Sequence, residues 1–209
     1  MTLYTRPSFT PEGDPFDIAA DLFTRHPFAT LVARADPFHA VHTPVLVDRT
    51  DTGLTLHAHV ARANDWWRRV EDAPDVLAIA HGPHAAISAS WYAQPSAGTW
   101  NYVASHATCR ATTVHDEGRL RPFLERLTRT FDDDPDFRVD DDVMSTLVRA
   151  VVGVTLEVVG AKCVVKMSQN KDDRTHANIV RRLESRDDGD DRAVASMMRA
   201  IRRADPARS

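Results

Sequence analysis

Apolar positions fall into one amphipathic stretch, then several short runs, then longer amphipathic stretches again. Over residues 15–26 (PFDIAADLFTRH), Phe16, Ile18, Ala19, Leu22 and Phe23 recur at helical spacing. Asp14 is placed to cap that helix and Pro27 to stop it. The runs 28–33, 41–47, 54–60 and 76–80 are short, apolar and bounded by Pro, Gly, Asn or Asp, which predicts strands. Between the last two, 64–70 (NDWWRRV) predicts a short helix. A strand pair is expected at 85–88 and 100–114, the second long enough to need a bend or bulge.

The period then lengthens. Over 118–131, Leu120, Phe123, Leu124, Leu127 and Phe131 make one apolar face, and Pro122 is expected in the first turn, where proline is tolerated. An acidic loop at 132–142 leads to a helix at 143–150. Two apolar runs, 151–159 and 162–167, flank Gly160 and predict a β-hairpin. From Asp172 the chain predicts a helix, a break at 187–191 (DDGDD) and a last helix over 193–203. Strands followed by helices and a hairpin define an α+β chain built on an antiparallel barrel with peripheral helices. The division expected is a barrel domain over 1–186 and a helical tail over 187–209.

Composition narrows the function classes. The 209 residues are 43% hydrophobic and 27% charged with mixed sign, which suits one packed core. No apolar run approaches the roughly 20 residues of a membrane span, and the opening MTLYTRPSFTPEGD lacks the apolar stretch of a signal peptide. A cytoplasmic protein with no membrane partner is expected. The net charge is -4, and residues 171–209 carry 10 basic against 8 acidic residues, so DNA is not an expected partner. Cys109 and Cys163 sit among apolar neighbours and read as buried thiols. Neither G-x-G-x-x-G nor G-x-x-x-x-G-K occurs, which excludes a phosphate loop of those kinds.

Three segments carry candidate chemistry. In 54–67, strand alternation puts Thr55, His57 and His59 on one face, and Arg62 and Asn64 fall where strand gives way to helix. A guanidinium and an amide beside helix N–H groups suit a phosphate; the alternative is a surface arginine and a capping asparagine. In 81–102, two tryptophans, two tyrosines, two histidines and Asn101 suit a flat conjugated ligand, or else a packed barrel corner. In 164–170, Lys166, Ser168 and Gln169 end an apolar strand, where they reach a ligand's polar edge or are simply solvated. Six of the ten histidines fall between His39 and His84, and His39, His42, His57 and His59 are candidates for a metal or an axial haem ligand. No spacing assigns a catalytic acid or base.

The segments AHVARAN (58–64), GPHAAIS.SWY (82–92), TWNY (99–102), GVTLEV (153–158) and K.SQNK (166–171) resemble the PaiB-like family, described as FMN-binding negative transcriptional regulators. The likeness runs from LYTRPSF near the start to about Leu183. It implies a split β-barrel related to pyridoxamine-phosphate oxidases, a homodimer with FMN at the subunit interface, and a small-molecule substrate. By the resemblance His59, Arg62 and Asn64 lie on the phosphate side, and Thr43 and Val45 belong to the strand beside the flavin ring. Trp100, Asn101, Lys166 and Gln169 would close the site, from this chain or its partner subunit. The sequence departs from the family at Ala86, Ala89 and Cys109, where an aromatic, a proline and a glycine are usual, and at His57. A branch of the family is similar to haem-dependent piperazate synthases, which join two nitrogens of N5-hydroxyornithine in natural-product pathways. That implies haem b as the alternative cofactor, with His57 or His59 on the iron. A transcriptional regulator is the remaining alternative that the family description carries.

Overall fold

The first helix forms where proline and aspartate dictate. Pro15 opens α1 (Pro15–Arg25), Asp14 accepts from the Phe16 N–H, and the helix ends before Pro27. The computed structural model describes residues 3–134 and 136–204. The last five residues of the expected tail, 205–209, lie outside the described residues.

Seven strands follow: β1 (Phe28–Ala33), β2 (His39–Pro44), β3 (Leu46–Thr50), β4 (Gly53–Ala61), β5 (Asp75–Ile87), β6 (Thr99–Val114) and β7 (Val151–Lys166). They pair antiparallel in the order β2-β1-β5-β6-β7-β4-β3. The sheet curls so that β2 returns to β4, where the buried Thr43 hydroxyl donates to the His59 carbonyl at 2.9 Å. The architecture is the expected α+β split β-barrel with peripheral helices: α2 (Trp66–Asp72), α3 (Glu117–Phe131), α4 (Asp141–Ala150), α5 (Asp173–Arg186) and α6 (Asp191–Ala204).

Alternation sorts the side chains. Leu54, Leu56, Ala58 and Val60 of β4 point into the barrel with Val152, Val154, Leu156 and Val158 of β7. Phe23 of α1 and Met198 of α6 join the same core. Because Val194, Ala195 and Met198 sit in that core with Ile179, Val180 and Leu183 of α5, the boundary at 186/187 falls between two helices that share one interior. On the outer side a smaller core forms under α3 and α4, where Leu120, Leu124, Met144 and Val148 cover Val114 and Val151. Gly153 permits that close approach: a Cβ there would meet Leu120 Cδ2 at 2.8 Å.

Three local expectations are corrected. Residues 151–167 are not a hairpin, because β7 runs unbroken and pairs with β6 along its length and with β4 over its first half. Gly160 sits instead at a bulge, where β6 steps from Thr108 to Cys109 while β7 steps from Gly160 to Val158. The run 41–47 divides at Val45 into β2 and β3. Pro122 lies inside α3, in its second turn, because the Asp116 cap starts the helix at Glu117.

Candidate functional site

Two places gather chemistry, at opposite ends of β7. The first lies where β4 leaves the sheet. Arg62 follows the strand's last residue, and its backbone N–H donates to the Ala150 carbonyl at 2.8 Å. Its guanidinium then turns onto the end of α4: Nε donates to Arg149 O at 2.8 Å and Nη2 to Val151 O at 2.7 Å. Nη1 lies 3.3 Å from His115 Nδ1, and His115 Nε2 lies 2.8 Å from Glu71 Oε1. A His115 protonated on Nε2 satisfies both contacts. The arginine fork is thus fixed by the protein, with two N–H groups at most left for a ligand. Asn64 precedes Asp65, the N-cap residue of α2, and its Oδ1 accepts from the Trp66 N–H at 2.9 Å, while its amide NH2 has no partner among the described residues.

On the outer face of β4, His57 and His59 stand two residues apart, and they differ sharply. His57 Nε2 meets Asp48 Oδ2 at 2.9 Å, and Arg126 grips the same carboxylate at 2.6 and 3.1 Å. The Arg126 hydrogen bond holds the Asp48 carboxyl below the usual range. These groups edge a cavity of about 300 Å³ under Phe123 of α3. His59 has no such partner: its Nδ1 is buried without a hydrogen bond, and its ring meets the Phe123 ring edge-on at 6.0 Å. Burial pushes both imidazoles below their ordinary range, at His57 outweighing the upward pull of Asp48.

A pH dependence follows from these imidazoles. Burial also lowers His106 on β6, with the charge of His81 adding to it. Each is neutral in the folded chain at a pH where the unfolded chain takes up protons, near pH 6.5. Their contribution to stability is therefore complete above about pH 6.5 and declines as the pH falls from there towards the lower folded values. The urea midpoint should drop between about pH 7.5 and about pH 5.5, and His59→Gln should flatten the drop. Unfolding curves at the two pH values check this, and a pH-independent midpoint contradicts it.

The second place is a cleft of about 390 Å³ at the far end of β6 and β7, beside the segment 4–9. It gathers all three tyrosines of the chain, Tyr4, Tyr92 and Tyr102, and the cations Arg6, Lys166 and Lys171. Lys166 Nζ donates to Thr99 Oγ1 at 2.5 Å, and Lys171 Nζ stands 4.6 Å from the Tyr92 ring centre. Burial and the charges of Arg6 and Lys171 lower Lys166 from the ordinary lysine range. The Tyr92 hydroxyl is buried without a partner.

Several residues of the expected site serve the fold in the free chain. Asn101 is fully buried, accepting from Ser168 Oγ at 2.9 Å and facing Met198 Sδ at 3.5 Å. Gln169 ties its own strand end to the N-terminal segment through the Ser8 and Val165 carbonyls and the Met167 N–H. Val45 is packed in the core. Trp100 is half-exposed and donates to His84 Nδ1 at 3.3 Å. Among the described residues no cluster of three or more His, Cys, Asp or Glu could hold a metal ion. His39 lies instead 3.9 Å from Asp65, and His42 bonds Thr30 at 3.0 Å. Both cysteines are buried free thiols, with Cys109 pushed up to about 12 by burial.

Sequence reasoning missed Tyr4, Arg6 and Lys171. A signal was present: the chain's three lysines, against 23 arginines, all fall between residues 162 and 171.

Residues 3–160 match the family model described as "Putative FMN-binding domain", and the chain belongs to that family. It is 27% identical over 163 residues to the protease synthase and sporulation protein PAI 2 of Bacillus subtilis (strain 168), covering 76% of this chain and 79% of that protein. This places it with the PaiB-like proteins. Among solved structures it is similar to the flavocytochrome Anf3 of Azotobacter vinelandii (15% identity, 72% of this chain and 68% of that one, TM-score 0.53). The FAD and haem binding protein of Mycobacterium smegmatis is alike to the same degree (16% identity, 72% and 70%, TM-score 0.53). Those two likenesses establish the fold. Among the described residues no helix is long and apolar enough to cross a membrane.

Proposed function

We propose that this chain is an FMN-binding protein of oxidoreductase type acting as a homodimer on a small-molecule substrate, with the flavin phosphate at the Arg62–Asn64 turn. One observation carries the assignment. The Arg62 fork is held by two backbone carbonyls, leaving unengaged N–H groups two residues from the free amide of Asn64. Donors fixed in advance bind a phosphate without the entropy cost of ordering them. FMN supplies the redox chemistry when bound; Arg62 and Asn64 hold the phosphate, with His59 on the strand that leads into their turn.

Dimerisation is supported by the outer face of β1 and β5. Phe28 is 71% exposed there, and Val32 and Leu77 pair across the two strands as half-buried apolar neighbours. A second copy would also bring Lys166 and Trp100 towards a flavin that they cannot reach within one chain. Arg62 and Lys166 stand at opposite ends of β7, up to about 50 Å of strand apart.

A second reading, a haem-dependent enzyme of the piperazate synthase kind joining two nitrogens, is favoured by His59 alone. A half-buried imidazole with an orphan nitrogen, held below its ordinary range by burial, suits an iron ligand. His57 suits it less, since Asp48 already engages its Nε2.

Separate titrations with FMN, riboflavin and haemin test both readings. The flavin reading expects a shift of the flavin absorption bands, with riboflavin binding about tenfold or more weakly for want of the phosphate. The haem reading expects a sharp Soret band that His59→Ala abolishes and His57→Ala keeps. Free-ligand spectra in all three titrations would end both.

A further inference from the structure

Helix α3 stands off the sheet over the middle of β4 and β7, and the gap is the cavity of about 300 Å³. Leu120, Pro122 and Phe123 of α3 make its apolar wall, and Asp48, His57, Arg119, Arg126 and Thr155 its polar lining. The charges of that lining do not cancel. Asp48 is answered by Arg126 at 2.6 and 3.1 Å, and burial keeps the His57 imidazole below its ordinary range, hence neutral at pH 7. Arg119 is left over. Its guanidinium has no hydrogen-bond or ion-pair partner among the described residues, while Asp116 is engaged by the Arg119 backbone N–H. Glu157, two residues beyond Thr155 on the same strand face, does not line the cavity. The Thr155 hydroxyl is also without a partner among the described residues. One unanswered cation beside an apolar wall suits a monoanion with an apolar body. The cavity also lies where the flavin ring falls when the phosphate sits at the Arg62–Asn64 turn. His57 is about 16 Å along β4 from Arg62 at the rise of a strand, a span that the ribityl chain and ring of FMN cover. Leu46, next to the Val45 expected beside the ring, pairs with His57.

We propose that this cavity is the substrate pocket of the flavin site and takes a small organic carboxylate, its anion held by Arg119 and its body packed on Pro122 and Phe123. The proposal rests on the flavin reading above and names the substrate class of that same site. Arg119 is its specificity-determining residue, and the Thr155 hydroxyl donates from β7. Arg126 binds no substrate, because Asp48 already occupies its fork; the pair ties α3 to β3. A phosphate monoester shares the oxyanion chemistry, but its second negative charge finds no second free cation in the lining.

Titration of the full chain with FMN comes first and alone decides the flavin reading. The FMN-loaded chain is then titrated calorimetrically at low salt with benzoate, benzamide and phenyl phosphate. Benzoate should bind about tenfold or more tightly than benzamide, which has the same shape without the charge, and should shift the flavin absorption bands. Phenyl phosphate should bind no more tightly than benzoate. Arg119→Gln, on an exposed side chain, should weaken benzoate about tenfold or more, and Thr155→Val about threefold. Arg129→Gln removes a charge from the same helix outside the cavity and should bind benzoate as the parent does. With FMN bound, the proposal is overturned if benzoate binds no better than benzamide, if Arg119→Gln binds it as the parent does, or if phenyl phosphate binds more tightly. It is equally overturned if benzoate leaves the flavin bands unmoved, or displaces FMN, which would make the cavity the cofactor's own. A chain that takes up no FMN fails the flavin reading and the pocket with it, whereas FMN uptake without benzoate binding fails the pocket alone.

Discussion

Asp191→Ala should lower the stability of the chain by about 2–3 kcal/mol, the cost of losing a buried carboxylate that accepts charge-assisted hydrogen bonds from a partly exposed arginine. The Asp191 side chain is 2% exposed. It accepts from Arg186 Nε at 2.6 Å, Arg186 Nη2 at 2.5 Å and the Asp188 N–H at 3.1 Å. The same guanidinium donates to the Ala86 carbonyl at 3.1 Å and lies 5.0 Å from the Trp91 ring centre. One carboxylate therefore fixes the α5–α6 turn onto the end of β5. A chain of this length loses roughly 2–4 °C of melting temperature per kcal/mol, so a drop of about 5–10 °C is expected by circular dichroism at neutral pH. Arg186 holds the Asp191 carboxyl below the usual range. Its contribution is thus complete above about pH 4, the ordinary carboxylate value, and is lost as the pH falls through the lower folded value. The mutational cost should shrink with it in acid. A melting temperature equal to that of the parent at neutral pH would contradict the role given to this pair.

Arg62→Ala should cost about 3 kcal/mol in denaturant unfolding before any cofactor is considered, because the Arg149 and Val151 carbonyls at the end of α4 lose their donors. Arg62→Lys should recover little of it, since an ammonium lacks the fork that spans two carbonyls. This matters for the assignment of the site. Loss of FMN on Arg62→Ala mixes a lost phosphate contact with a loosened α4, whereas Arg62→Lys and Asn64→Ala, compared for FMN affinity against stability, separate the two. Unchanged stability in Arg62→Ala would show that the guanidinium is not engaged with α4.

The strands and helices were legible wherever a local signal sufficed. Asp14 and Pro27 bound α1, and β1 has the predicted ends, Phe28 and Ala33. Gly160 misled because glycine between two apolar runs marks a turn as well as it marks a bulge. Only the long pairing of β7 with β6 distinguishes them. The candidate site was legible in part for a similar reason. That the Asn64 side chain would accept from the first N–H of a helix follows from its place before Trp66. That Asn101 turns inward follows from strand alternation with Val103, but its bonding to Ser168, 67 residues away, does not. The split between His57 and His59 rests on Asp48 and Arg126, which reach the pair from β3 and α3. The tyrosine cleft is assembled from residues 4, 6, 92, 102, 166 and 171, and no local pattern joins them.

Membership of the FMN-binding family, a fixed arginine fork with donors to spare and a free asparagine amide converge on one claim, that this barrel holds FMN through its phosphate. Equilibrium dialysis of the purified chain against FMN, with the bound flavin released and counted by absorbance, tests it most directly. The account predicts about one FMN retained per chain, with riboflavin retained far less. Retention no greater than that of an unrelated protein at the same concentration would contradict it.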